Sequence, residues 1–182
     1  GNDTIVRDAI PSAQIDVFDW HHDVALNHKV RVHFTPAQHW SARGLFDRLC
    51  ALWSSYFIEP PAGTIYHIGD TGFNESLFKS TRQGYGAARL AILPICAYEP
   101  RWFMKDQHIN PQEAVEIMQI MGASHALGHH WGTFKLTDEG VTRPPEALAA
   151  ALQEKKLSAN RFRAMQPGQA FWLEGGTLKK IG

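Results

Sequence analysis

Residues 90–98 read Leu-Ala-Ile-Leu-Pro-Ile-Cys-Ala-Tyr, nine apolar residues without interruption. A bilayer span takes roughly 20 such residues, so this run belongs to a folded interior. It also lacks the polar alternation of a strand with one wet face. A strand over Arg89–Ile95 buried on both faces is the simplest reading, and such a strand needs further layers above and below it. The chain is therefore expected to fold as an α/β or α+β domain.

The flanking sequence supplies those layers. Asn110 can cap a helix, Pro111 suits its first position and Glu113 completes a capping box. Ala114, Val115, Met118 and Met121 then form an apolar stripe that Gly122 ends. A shorter helix is expected over Asn74–Gln83, closed by Gly84, and a last one opens at Pro144-Pro145 with Leu148, Ala151 and Leu152 inward. Strands are expected over Ile15–Trp20, Lys29–Thr35, Ala51–Ile58, Thr64–Ile68, Ser124–His129 and Ala170–Leu173. Pro60-Pro61-Ala62-Gly63 joins two of them as a hairpin. No linker or repeat divides the chain, so residues 1–182 read as a single unit.

Composition narrows the partners. Eighteen basic residues balance eighteen acidic ones, which leaves no basic footprint for nucleic acid and points to a small-molecule substrate. With 44% hydrophobic residues a core is assured. The amino terminus has neither a basic nor an apolar signal region, so a cytoplasmic location is expected, with peripheral membrane contact compatible. Cys50 and Cys96 form no CxxC motif and read as two buried thiols. Ten histidines are the unusual feature.

Three polar loops, each after an expected strand, carry a candidate metal ligand: His39 in TPAQHW, Asp70 in GDTG and His130 in HHWG. Two imidazoles and a carboxylate suit zinc, and the glycines around Asp70 would let the backbone approach an ion. His33 and His67 lie within strands and read as packed or surface residues, whereas His21, His22 and His28 read as solvated. The stretch 97–108 is too aromatic for a plain connector. Trp102, Phe103 and Met104 are either a substrate wall or a plug over the sheet. His108 precedes a helix start, where an anion such as phosphate is stabilised and where the helix dipole would lower its pKa.

Four ordered blocks now resemble one family: TPAQHW at 35–40, GDTG at 69–72, PICAYEPRWFMKDQHINPQEAV at 94–115, and HHWGTF at 129–134 followed by Arg143-Pro144-Pro145. The chain resembles the metallo-β-lactamase superfamily, in its N-acyl-phosphatidylethanolamine-hydrolysing phospholipase D branch. The resemblance implies the second ββα half of a four-layer αββα sandwich with two zinc ions at the sheet edge. By the same resemblance His39 holds the first ion, Asp70 bridges both and acts catalytically, and His130 holds the second. Trp102, Phe103, Gln107 and His108 would border a phosphodiester or phospholipid substrate, with His108 also catalytic. The family's His-x-His-x-Asp-His motif occurs nowhere in the sequence. The remaining ligands, and a cover for the sheet, are thus expected from a preceding half or a dimer partner, and this segment alone is expected to bind zinc weakly and to be inactive. Lactone or amide hydrolysis is the alternative activity, and a non-catalytic binding domain is the alternative class.

Overall fold

In the computed structural model, which describes residues 1–174 and 176–181, seven strands form one sheet whose spatial order is the chain order. β1 (Asp23–Asn27), β2 (Val30–Thr35), β3 (Ser55–Glu59) and β4 (Ile65–Ile68) make an antiparallel meander. β5 (Leu90–Pro94), β6 (His125–His129) and β7 (Phe162–Ala164) then add in parallel. Each parallel step needs a crossover, and α2 (Glu75–Tyr85), α4 (Pro111–Ile120) and α5 (Arg143–Glu154) provide them. α1 (Asp3–Ala9), the short α3 (Arg101–Met104) and a hairpin of β8 (Ala170–Glu174) and β9 (Thr177–Ile181) complete the described elements.

Local chemistry sets the boundaries. Gly63 adopts φ 110° and donates its N–H to the Pro60 carbonyl at 3.1 Å, closing the β3–β4 turn. The Asn110–Glu113 capping box opens α4 as expected. Asn74 caps α2 through Leu77, but that helix runs past Gly84 to Tyr85 and is closed by Gly86.

The register places Phe57, Tyr66, Ala91, Ala126 and Phe162 side by side on one face. They are buried in a single cluster with Phe78, Val115, Met118, Leu148 and Leu152 of the helices. The other face carries Phe34, Tyr56, His67 and Ile92, all only half-buried. A row of rings crosses it: Phe18 stacks on Phe34 at 4.8 Å, Phe34 meets Tyr56 at 5.6 Å and Tyr56 meets His67 at 6.2 Å. The expectation that β5 is buried on both sides therefore holds on the helix side only, where Ala91 and Leu93 are buried while Leu90 and Ile92 are not.

Three other expectations are corrected. Ile15–Trp20 is not a strand: its alternation finds no ladder partner, and it is tied down by Phe18 and by Trp20, whose ring N–H donates to the Trp53 carbonyl at 2.7 Å. The strand expected over Ala51–Ile58 shortens to β3, because residues 51–54 pair with no neighbour. Of the two thiols only Cys96 is buried, and Cys50 is exposed on a loop. α1, β1, α3, β7 and β9 were not anticipated from the sequence.

Candidate metal centre

Because β2 and β3, and β3 and β4, are antiparallel, β2 points the same way as β4, β5 and β6. Their carboxyl ends share one edge of the sheet, where ladder hydrogen bonds stop and loops can aim side chains inward. His39 follows β2, Asp70 follows β4, His108 lies between β5 and α4, and His130 follows β6. His39 Nε2 is 3.9 Å from one oxygen of Asp70 and His130 Nε2 is 3.3 Å from the other. One carboxylate thus faces two imidazoles, one at each oxygen. The His108 ring stands perpendicular to that of His39 at 5.2 Å and stacks near that of His130 at 5.8 Å. Ligand atoms of His39, Asp70 and His108 all lie within 4.8 Å of one another, so His108 sits at ligand range and not only at the rim.

Polar stitching holds these loops. Gln38 donates its backbone N–H to the buried Thr71 hydroxyl at 3.0 Å and its side-chain N–H to the Asp106 carbonyl at 3.1 Å. Gly72 donates to the Gln38 carbonyl at 2.7 Å. A Cβ on Gly72 would collide with the Asp106 carbonyl, so this glycine serves loop packing, not approach to an ion as its position suggested. The Arg101 guanidinium donates to the His108 carbonyl at 2.8 Å and to both Glu113 oxygens at 2.8 and 3.0 Å. The helix cap of α4 therefore also anchors His108. His130 has φ 62°, a left-handed backbone uncommon outside glycine.

The donor atoms suit a divalent cation. His39 Nδ1 meets the Trp40 carbonyl at 2.7 Å and must donate there, which leaves the Nε2 lone pair facing Asp70. Among the described residues, His39 Nε2, His108 Nδ1, His130 Nδ1 and the Gln107 carbonyl oxygen are buried without a hydrogen-bond partner. Buried unpaired polar atoms are costly, and a cation would satisfy imidazole lone pairs and a carboxylate together. Burial holds the His108 imidazole below its ordinary pKa; Asp70 opposes this, while His39 and His130 add to it. Burial is the leading cause, and it favours the neutral ring that ligation requires.

His129, the last residue of β6, stays out of the centre. Its Nε2 donates to the Ile68 carbonyl at 2.8 Å and its ring stacks on His67 at 5.3 Å. Burial pushes it down to about 4. His21, His22 and His28 are exposed as expected, and His33 lies 3.2 Å from a Glu59 oxygen.

Around the centre, Trp102 and Phe103 project from α3 at 80% and 66% exposure, in edge contact at 5.7 Å. They are not a plug over the sheet. A cavity of about 400 Å³ opens beside His130, lined by Trp131, Phe134, Leu136, Met165 and Pro167. Sequence reasoning missed it because its walls come from two distant segments with no shared motif.

A family model described as "Beta-lactamase superfamily domain" matches residues 2–131, which include His39, Asp70, His108 and His130. The chain is 43% identical over 116 residues to the mitochondrial N-acyl-phosphatidylethanolamine-hydrolyzing phospholipase D of Saccharomyces cerevisiae, a match covering 63% of this chain and 25% of that one. It is 42% identical over 136 residues to N-acyl-phosphatidylethanolamine-hydrolyzing phospholipase D 1 of Caenorhabditis elegans, covering 74% and 38%. The chain thus matches between a quarter and two fifths of the length of these relatives. The solved structure of Igni18, a metallo hydrolase from Ignicoccus hospitalis KIN4/I, superposes with a TM-score of 0.66 at 17% identity, over 99% of this chain and 66% of that one, which attests the fold. The mixed sheet, the candidate ligand loops at its carboxyl edge and the match over residues 2–131 agree: the chain belongs to the β-lactamase superfamily domain family.

Proposed function

We propose that this chain carries part of the metal site of a zinc-dependent phosphodiesterase, with N-acyl-phosphatidylethanolamines as the lipid substrates to test first. The observation that carries this reading is the meeting of His39 and His130 at the two oxygens of Asp70. His39, Asp70 and His108, whose ligand atoms lie within reach of one ion, and His130, at the other oxygen of Asp70, would hold the metal. Bound divalent ions supply Lewis acidity and a water acidic enough to act at neutral pH. Asp70 fixes the imidazoles around itself and accepts a proton from the attacking water. His108, half-buried, either ligates or donates a hydrogen bond to the phosphate, and the proton taken up by Asp70 passes to the leaving oxygen. Gln107, whose carbonyl oxygen is buried and unpaired, orients the substrate. The cavity beside His130 offers an apolar wall suited to an acyl chain, and exposed Trp102 and Phe103 suit peripheral contact with a lipid surface. Among the described residues no helix is long and apolar enough to cross a membrane.

The half-buried sheet face supports a further part of this reading: it packs against additional chain of a longer protein, which also supplies the remaining ligands. The partial coverage of the phospholipase D relatives favours this over pairing of two copies.

The test is metal analysis and turnover of the longer protein on phosphodiester, lactone and β-lactam substrates, with His39→Ala and His108→Ala alongside. Zinc retained in the wild type, lost in His39→Ala, and turnover preferring phosphodiesters are expected. His108→Ala losing turnover but keeping zinc assigns it to the substrate; equal losses assign it as a ligand. Preference for lactones would move the substrate class, and metal without any turnover would favour a binding domain, the reading to which exposed Trp102 and Phe103 also lend themselves.

A further inference from the structure

Glu139 lies in the loop after β6, carries a carboxylate, and is only 8% exposed, yet none of the chemistry above uses it. Its surroundings are specific. One oxygen accepts the backbone N–H of Ala97 at 2.5 Å and of Tyr98 at 3.1 Å, with the Cys96 thiol donating to it at 3.3 Å. The other oxygen accepts the N–H of Glu99 at 3.1 Å. Three successive amides converge because Ala97 takes φ 65°, in the left-handed region, which turns the chain into a small anion-binding concavity. An alanine has no intrinsic reason to adopt that conformation; the carboxylate supplies one.

The two strands of connection so joined are the ones that matter. Residues 95–110, after β5, lead into α3 and on to His108, while residues 130–142, after β6, begin with His130. Arg101, two residues beyond the Glu139 contact, reaches forward to the His108 carbonyl, and its own N–H bonds back to the Glu99 side chain at 3.0 Å. A continuous line of hydrogen bonds therefore runs from Glu139 through Glu99 and Arg101 to His108. We propose that Glu139 is a positioning residue: by clamping the 97–99 amides it fixes the distance and orientation of the His108 segment against the His130 loop, and so of His108 against Asp70.

This rests on the functional reading above for its kinetic consequence, and on geometry alone for its structural one. Misplacing a reacting group by about 1 Å can cost on the order of 10²-fold in rate. Glu139→Gln keeps the size but, whichever way its amide turns, replaces one acceptor oxygen with a donor that faces at least one amide N–H and repels it. The experiment compares wild type, Glu139→Gln and Glu139→Asp in the longer protein by amide hydrogen exchange at residues 97–99, by the ring NMR signals of His108, and by kcat and KM. Faster exchange at 97–99, displaced His108 ring signals, and a kcat loss on the order of 10²-fold at nearly constant KM are expected for Glu139→Gln, with partial recovery in Glu139→Asp. Unmoved His108 ring signals in a folded Glu139→Gln protein would overturn the proposal. Should the glutamine variant not fold, the same readout on Glu139→Asp decides, since a carboxylate one methylene short must also move the His108 ring. Absence of phosphodiester turnover in the wild type would remove the functional reading and leave the His108 signals to judge the clamp.

Discussion

The helix-covered face of the sheet and its carboxyl edge are built on opposite principles. Phe57, Tyr66, Ala91 and Ala126 are wholly buried among apolar neighbours, held by area removed from water and close packing. At the edge the groups are polar, some buried and some half-exposed, and position comes from directed bonds: Gln38 to Thr71 and Asp106, Arg101 to His108 and Glu113, Glu139 to the 97–99 amides. The first arrangement is tolerant in direction and costly to hollow out. The second contributes little to overall stability but decides where four candidate ligands stand. Stability and chemistry should therefore be separable by mutation.

The largest expected effect is on the interior. Phe57→Ala should destabilise the fold by about 3–5 kcal/mol, the range for emptying a filled aromatic site. Phe34→Ala on the half-buried face should cost clearly less, measured by urea unfolding with metal removed. Equal costs would mean that the second face is already sealed and the contrast between faces is false. Next comes Gly72→Ala, which must displace the Asp106 backbone and with it the segment carrying His108. Metal affinity should fall roughly 10- to 100-fold, the range for losing a support of a ligand, with a far smaller change in unfolding free energy than Phe57→Ala. If affinity holds, the edge is less tightly stitched than its hydrogen bonds imply.

The smallest effect concerns acid. Burial would raise the Glu139 carboxyl, but the hydrogen bonds it accepts, among them those from Tyr98 and Cys96, outweigh it, and the net pKa lies below the ordinary value. A group depressed in the folded state adds stability that is complete above its unfolded pKa, about 4.3, and that is lost as the pH falls through the folded value. The melting temperatures of wild type and Glu139→Gln should therefore differ by a steady margin from about pH 5.5 to 8 and draw together below about pH 4. A margin unchanged in acid would show that the ionised form is not what the amides hold.

How much of this was legible in the sequence follows the same division. α4 and β5 could be read because their signals are local: a capping box at Asn110 and Glu113, and an unbroken apolar run from Leu90. The meeting of the loops that carry His39, Asp70 and His130 could be read because each follows a strand and carries a recognisable motif. Ile15–Trp20 misled because alternation says nothing about whether a pairing partner exists, and the rings of Phe18 and Trp20 found other contacts. β7, three residues long, exists only through its ladder to β6. His108 was found but its nearness to Asp70 was not, since the distance between loops depends on strand order. Glu139 was missed altogether, because a carboxylate that binds amides some forty residues earlier leaves no periodic trace.

Strand order identical to chain order has a consequence for biogenesis. Within the seven-stranded sheet each strand docks on the one synthesised just before it, so no strand has to leave a gap for a neighbour made later. His130 and Glu139, which follow β6, would emerge after the other three candidate ligands, so this part of the candidate metal centre is assembled only once β6 has joined the sheet.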